Sequence, residues 1–570
     1  MVYKLADNII SPLGMTSRAN YEAVKAGRSA LSSYEGLWDI PEPFTAALFT
    51  EAQHKAIKRE GLSRFESFVV QSVSDALSTT SLDISSPKIV FILSTTKANV
   101  ELLDDPKATS AILHPGESAQ RIARHLGITT EPIVVCNACV SGLSALILAE
   151  RLLTQKVYDY AIVTGADVLS RFVISGFQSF KSMDANPCRP YDIERLGMNL
   201  GEAAATMILT HEATGHQDGW ALLRGIIRND AHHISTPSNK GEGAYRAMAP
   251  LLQQVNKDEL ALVNAHGTAT MFMDQMEAVA LDRAGLSDLP VNSYKGYFGH
   301  TLGAAGVLET VLTMWALEEH NILGTRGFQE LGVSVPIQVS AEAKSTDKRT
   351  FLKLISGFGG SNAALLVSLD TQMQKQQSKI PQTQQLHRVV ITPDGVTIDG
   401  KAHPSTNTGK ALLTELYRTY VGNYPKFYKM DGLSKIGFLA SELLMACEQE
   451  EEQTPIDEQR AVILFNHSSS IDTDRQYLAS IQPESYFPSP SLFVYTLPNI
   501  VTGEIAIRHH LHGETSFYSL ASRNEQLMSL IQQAALSDEV TQSLLTGWID
   551  YEDDAHFCAD MYILASTSTP

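Results

Sequence analysis

Two textures alternate along the chain. Short unbroken apolar runs, among them Ile89-Val90-Phe91-Ile92-Leu93 and Tyr160-Ala161-Ile162-Val163, are separated by segments such as Glu117 to Leu126, where apolar residues recur at helical intervals. Such runs read as buried strands, and their alternation with helices predicts an α/β layered fold. Val140 to Leu153 is apolar on nearly every face, which predicts a helix enclosed by protein on all sides. The pattern breaks from Thr371 to His387, where seven Gln fall in seventeen residues beside Lys375, Lys379 and Pro381. With so little to bury, 371–387 reads as a linker. A further α/β-like region follows from Arg388 to about Ala565, with apolar runs at Val389-Val390-Ile391, Ala461 to Phe465 and Met561 to Leu564.

That last region reads as a degraded repeat of the first 210 residues. Ile89 to Thr96 parallels Val462 to Ser469, Val163-Thr164-Gly165-Ala166-Asp167 parallels Leu545-Thr546-Gly547-Trp548-Ile549-Asp550, and Ala205 to Leu209 parallels Asp560 to Leu564, in the same order. Setting Thr164 against Thr546 carries Cys139 onto Ala521, and alternative registers bring Leu520 or Ser522 there, the latter with no His motif after it to act as a base.

Composition narrows the function classes. A chain of 570 residues has room for several compact units and a large core. With 63 acidic against 44 basic residues the net charge is −19, the wrong sign for a general nucleic-acid binder, so any basic docking site must be local. No stretch approaches the roughly 20 apolar residues of a membrane span. The opening Met1-Val2-Tyr3-Lys4-Leu5-Ala6-Asp7 has no secretory or lipidation pattern, so a cytoplasmic location is expected. Five Cys without framework spacing predict free thiols.

Candidate chemistry gathers where strands end. Pro132-Ile133-Val134-Val135 runs into Cys136-Asn137-Ala138-Cys139-Val140-Ser141-Gly142. A Cys at the start of a buried helix faces free N–H groups, which favour thiolate, so Cys139 is the candidate nucleophile. The Cys136-x-x-Cys139 spacing also suits a redox dithiol or half a zinc site, but Cys188, Cys447 and Cys558 are isolated and supply no second pair, so no metal is expected. Asn264-Ala265-His266-Gly267-Thr268 follows another apolar run and precedes Asp274 and Glu277. Lys295-Gly296-Tyr297-Phe298-Gly299-His300-Thr301-Leu302-Gly303-Ala304-Ala305-Gly306 follows a further short run, with Glu309 close behind. Two histidines beside small residues hint at one shared site. In Ser356-Gly357-Phe358-Gly359-Gly360-Ser361-Asn362, the small residues around Phe358 suit a turn aiming N–H groups at a developing oxyanion.

In this order the motifs resemble the β-ketoacyl synthases of the thiolase superfamily. The likeness includes Arg189-Pro190-Tyr191-Asp192, Gly201-Glu202-Ala203, Ile10-Ser11-Pro12-Leu13-Gly14 and Ala26-Gly27-Arg28-Ser29, and covers about residues 1–370. It implies a thiolase-like five-layered αβαβα core of two similar halves, 1–215 with the nucleophile and 216–370 with both histidines. The linker 371–387 and a C-terminal α/β domain, 388–570, then follow, the latter a degenerate, non-catalytic half. Ser356, Gly296 and Ala203 depart from the aromatic, Ser and Gly usual in the family, which bears on substrate shape more than on reaction.

The resemblance implies a decarboxylative Claisen condensation in fatty acid or polyketide-type synthesis, without a cofactor. Cys139 would take an acyl group from an acyl carrier protein, His266 and His300 would stabilise the enolate from a malonyl-loaded carrier, and the amides of Cys139 and Phe358 would form an oxyanion site. Phe358, flanked by Gly357 and Gly359, would also gate the acyl pocket. Lys295 with Glu309 would set the charge around the histidines, and Asp274, Glu277 and Glu202 would support the site. Two other readings stand beside this one: a non-catalytic chain-length-factor-like partner subunit, and a redox or metal protein built on Cys136 and Cys139. The assembly is expected to be a homodimer, or a single-chain pseudo-dimer in which 388–570 takes the place of a second subunit's first half.

Overall fold

The computed structural model describes residues 1–212, 219–369, 381–449, 457–482 and 485–567. The expected boundary at 215/216 and residues 371–380 of the expected linker lie outside the described residues.

Three regions build the same five-stranded sheet. In the first, β1 (Val2–Ile10), β2 (Ile89–Ser94), β3 (Ile133–Val135), β4 (Tyr160–Asp167) and β5 (Ala203–Thr210) lie in the order β1-β5-β4-β2-β3. The first two pairings are antiparallel and the last two parallel. In the second, β6 (Ala221–Asn229), β7 (Leu260–Asn264), β8 (Pro290–Asn292), β9 (Thr350–Ser356) and β10 (Ser361–Ser368) take the order β6-β10-β9-β7-β8 with the same senses. In the third, β11 (Thr383–Thr392), β12 (Arg460–Asn466), β13 (Thr515–Ser519), β14 (Ser543–Asp553) and β15 (His556–Ser566) take the order β11-β15-β14-β12-β13, again with the same senses. Every residue of β2, β5 and β10 is buried, as strands covered on both faces require.

The enclosed helix foreseen from the sequence is α1 (Ser141–Thr154), which packs against α2 (Ala305–Glu318). Their backbones meet: a Cβ on Gly306 would stand 2.2 Å from the Leu143 amide nitrogen, and one on Gly142 2.9 Å from that of Gly306. Glycine at both places lets the helix after the nucleophile touch the helix after His300. No helix among the described residues is long and apolar enough to cross a membrane.

The third region docks through α3 (Ile500–His509), α4 (Glu525–Leu536) and β13. β13 lies antiparallel to β3 with Tyr518 opposite Val135, and the Cys136 amide donates to Phe517 O at 2.9 Å. Buried ion pairs Arg151–Glu514 (2.7 Å) and Lys97–Asp474 (2.5 Å) cross the junction. Phe65, Phe91 and Val134 share one continuous apolar core with Val462, Leu464 and Ile505.

Two details correct the sequence reading. β11 begins at Thr383, so Thr383–His387 is strand, not linker; its side chains are mostly exposed, and pairing with Leu564–Ser566 holds it in place. The ladders also adjust the repeat. With Gly165 matched to Gly547, Ser94 falls on Leu464, three residues from its sequence partner, and Ala205 on Met561, one residue away. Runs of similar apolar residues leave register ambiguous, and odd slips exchange the two faces of a strand. The same ladders set Val135 on Phe517, and four residues on Cys139 falls on Ala521.

Candidate active site

Cys139 sits in a 3-10 turn, Ala138–Val140, between β3 and α1. Ala138 takes φ +48°, a left-handed conformation that persists where the surroundings over-determine it. Here the Asn137 amide donates to Ser141 Oγ (2.7 Å), Ser141 Oγ donates to Ala138 O (2.6 Å), and Asn137 Nδ2 reaches Thr515 O in the third region (3.0 Å). Burial pushes the Cys139 thiol up to about 12 despite the attraction of Lys295. Burial thus opposes the thiolate that the helix start favours.

His266 follows β7 in a loop whose backbone is held by two carboxylates on the helix Met271–Arg283. Glu277 accepts from the amides of His266 (2.7 Å) and Gly267 (2.8 Å), and Asp274 from those of Thr268 (2.9 Å) and Ala269 (3.1 Å). Tyr191 fastens both, its amide donating to Asp274 (2.7 Å) and its hydroxyl to Glu277 (2.5 Å). Burial pushes Asp274 up to about 7. His300 is placed by Gly299, whose φ of +68° and close approach to Leu200 O leave no room for a side chain.

The Leu302 amide donates to His300 Nδ1 (3.3 Å), which puts the ring proton of the neutral form on Nε2. That Nε2 is buried and has no partner among the described residues, as is true of His266 Nδ1. The two rings stand 5.2 Å apart, nearly perpendicular. Burial, reinforced by Lys295 and Lys353, pushes both imidazoles well below their ordinary range, so near neutral pH they are uncharged. Glu309 bridges the two lysines at 2.7 and 2.6 Å; burial alone would raise it, but they hold it below the usual carboxylate range. Lys353 escaped the sequence reading, although a lysine inside the apolar run Phe351-Leu352-Lys353-Leu354-Ile355 was a usable signal. Glu202 is not in this group: it pairs with Arg64 (3.0 Å) and accepts from the amides of Phe49 and Leu169.

The glycine turn closes the site. Gly357 packs on the nucleophile's turn, where a Cβ would stand 3.3 Å from the Cys139 amide nitrogen. The Gly357 and Gly359 amides are taken by Ser361 O (2.9 Å) and Ile234 O (2.7 Å). Cys139, His266, His300, Gly357 and Phe358 line one cavity, with Phe177 and Met198 on its apolar side. Cys136 is fully enclosed and does not line it.

Residues 8–214 match the family described as beta-ketoacyl synthase, N-terminal domain, and residues 221–329 its C-terminal domain. The chain belongs to the β-ketoacyl synthases. A relative of this chain, 3-oxoacyl-(acyl-carrier-protein) synthase 2 of Rhizobium meliloti, is 32% identical over 251 residues, 41% of this chain; the match spans 59% of the relative's length. The protein of the same description from Vibrio cholerae is 24% identical over 400 residues, 63% of this chain and 96% of its own. The solved structure described as PfaC keto synthase-chain length factor aligns over 100% of this chain and 78% of its own, with TM-score 0.74 and 14% identity. The chain thus has a thiolase-like fold, and the third region shares in the likeness.

Proposed function

We propose that the synthase joins an acyl group carried on Cys139 to a malonyl unit delivered by an acyl carrier protein, with loss of CO₂. The observation that carries this reading is the single cavity shared by one cysteine, two neutral histidines and the Phe358 turn. Cys139 Sγ attacks the acyl thioester of the first carrier, and the thiol proton leaves with the carrier's sulfur. Covalent capture divides one difficult condensation into two easier steps. The malonyl thioester then loses CO₂, and its two electrons form an enolate whose oxygen accepts N–H bonds from His266 and His300. Neutral imidazoles suit this task because each keeps a donor without adding charge to a buried site. The enolate carbon attacks the acyl carbonyl, the amides of Cys139 and Phe358 hold the tetrahedral oxyanion, and collapse frees the Cys139 sulfur, which takes up a proton from solvent. Lys295, Lys353 and Glu309 stand behind the histidines and keep them uncharged; Asp274, Glu277 and Tyr191 hold the His266 loop.

His266→Ala and His300→Ala separate the steps. Each should slow malonyl decarboxylation by roughly 10² to 10³ while Cys139 still accepts an acyl group, read as an adduct by intact mass. Unchanged decarboxylation in both variants overturns the mechanism.

The third region fits the role of a non-catalytic partner built into the chain. It pairs β13 with β3, has Ala521 where the first region has Cys139, and joins β14 to β15 by a short hairpin at Asp554-Ala555 where the first region has residues 168–202. A particle of 62.3 kDa by light scattering supports this pseudo-dimer. A particle of twice that mass, unchanged in oligomeric state after cleavage between residues 371 and 380, rules it out.

A further inference from the structure

The Phe358 turn is held from two sides, and one of them is the third region. From the catalytic halves, Asn229 Nδ2 donates to Gly359 O (2.8 Å), while the Asp230 amide (2.8 Å) and Asn362 Nδ2 (2.9 Å) donate to Gly360 O. The carbonyl of Phe358 itself accepts from Asn499 Nδ2 at 2.8 Å, and Asn499 is the N-cap residue of α3. Asn499 is 1% exposed, and its Oδ1 is buried with no partner among the described residues. One turn into α3, Gly503 lies against the same loop: a Cβ there would stand 2.5 Å from Gly359 O and 2.8 Å from Gly359 Cα. Gly359 is left-handed at φ +89°, and a Cβ on it would meet Asn499 Nδ2 at 2.7 Å. Backbone thus rests on backbone at this contact, and the Asn499 side chain ties it to Phe358.

We propose that Asn499 is a positioning residue for the acyl gate: its amide pins the Phe358 carbonyl and so sets both the Phe358 ring over the acyl pocket and the Phe358 amide toward Cys139. The peptide between Phe358 and Gly359 is tied at its oxygen by Asn499 and at its nitrogen by Ile234 O. With the oxygen released, that plane can turn and carry the ring with it. The ring meets Phe177 (6.2 Å) and Phe180 (5.5 Å), and a Cβ on Gly176 would strike the Phe493 ring of the third region at 2.1 Å. The third region therefore confines the gate from the backbone side and the aromatic side, while the two histidines are held by the catalytic halves. Gate and decarboxylation should separate.

This inference rests on the role given to Phe358 above, and it is tested in the full-length chain. Asn499→Ala removes the whole amide; Asn499→Asp keeps its shape but not the donor, and serves if the alanine variant does not fold. Two ratios are read. The first is Cys139 acylation by long-chain against short-chain acyl-carrier thioesters; the second is Cys139 alkylation by a bulky aryl maleimide against iodoacetamide. Both should shift toward the larger reagent by about 3- to 10-fold, the share of one neutral hydrogen bond in an equilibrium, with malonyl decarboxylation within about twofold of the parent. Gly503→Ala, which pushes the same turn by another route, should shift the same ratios. Ratios that stay at the parent value in both Asn499 variants overturn the proposal. So does a uniform loss of acylation, alkylation and decarboxylation, which is what a merely structural contact would give. If the parent's Cys139 accepts no acyl group the condensation reading fails, while the alkylation ratio still decides the role of Asn499.

Discussion

The first and third regions share a skeleton and differ in what hangs from it. Both order their strands identically, and both have, two or three residues after the strand's glycine, an aspartate that accepts from the neighbouring turn: Asp167 from Thr95 and Thr96, Asp550 from Ser468. At the nucleophile's place one has Cys139 and the other Ala521, and the long connection after β4 shrinks after β14 to a tight hairpin. Sheet order is kept by burial, which tolerates any apolar residue of about the right size. A site needs particular atoms, and once chemistry is not required of a copy nothing retains them.

The largest effect tests that contrast directly. Cys139→Ala should abolish acylation and condensation, whereas Ala521→Cys should gain no acyl adduct, because that turn is packed on the helix Pro115–Leu126, where a Cβ on Gly116 would stand 2.3 Å from the Ala521 amide nitrogen. An adduct on the new cysteine, seen by peptide mapping, would mean that the third region still has the elements of a site.

Next in size is the response to pH, where the buried groups of the catalytic halves act in opposite directions. With the Cys139 thiol pushed up to about 12, its alkylation should climb about tenfold per pH unit from pH 7 to 10 without levelling. A plateau starting below pH 8 would mean that the helix start prevails over burial. Both imidazoles are lowered, so their neutral, donating forms are lost only as pH falls through values well below 6.5. Decarboxylation should therefore hold steady from pH 8 to 6.5.

A third effect is on stability. Glu309→Ala leaves Lys295 and Lys353 buried without a counter-charge, and removing one member of a buried pair costs about 3–5 kcal/mol. Denaturant titration should show that loss, with a smaller one for Glu309→Gln, which keeps a hydrogen-bond acceptor. A change under 1 kcal/mol in both variants would put the two lysines in contact with water.

Much of this was legible in the sequence, for identifiable reasons. Cys139, His266 and His300 stand out because each follows an apolar strand and sits among small residues, a pattern that local chemistry demands. The enclosed helix α1 was readable because it has no polar face to give water. Lys353 was hidden because its role appears only when β9 lies beside β7 and Glu309 comes within reach. The pull of burial on the Cys139 thiol was hidden because a helix start is visible in one dimension, while the surroundings of the side chain are not. The hold of Asn499 on Phe358 joins residues 141 positions apart, so no spacing rule could find it.

The smallest expected effect is that of Asp550→Ala, set beside Asp167→Ala. Asp167 accepts from Thr95 Oγ1 (2.7 Å), from the Thr96 amide (3.0 Å) and hydroxyl (3.0 Å), and from the Gly303 amide (2.7 Å). The last of these lies three residues beyond His300, so Asp167 ties the nucleophile's half to the histidine's loop. Asp550 accepts from the Ser468 amide (2.9 Å) and hydroxyl, both in its own region. Asp167→Ala strands two buried amides, at roughly 1–3 kcal/mol each, and should slow decarboxylation by loosening the His300 loop. Asp550→Ala strands one partly buried amide, so it should lower stability by about 1 kcal/mol and leave decarboxylation alone. Thermal melts and decarboxylation rates of the two variants decide it. If Asp550→Ala slowed decarboxylation as much as Asp167→Ala, the third region would be coupled to the histidines and not only to the Phe358 turn, and the division between scaffold and site drawn from the two copies would fail.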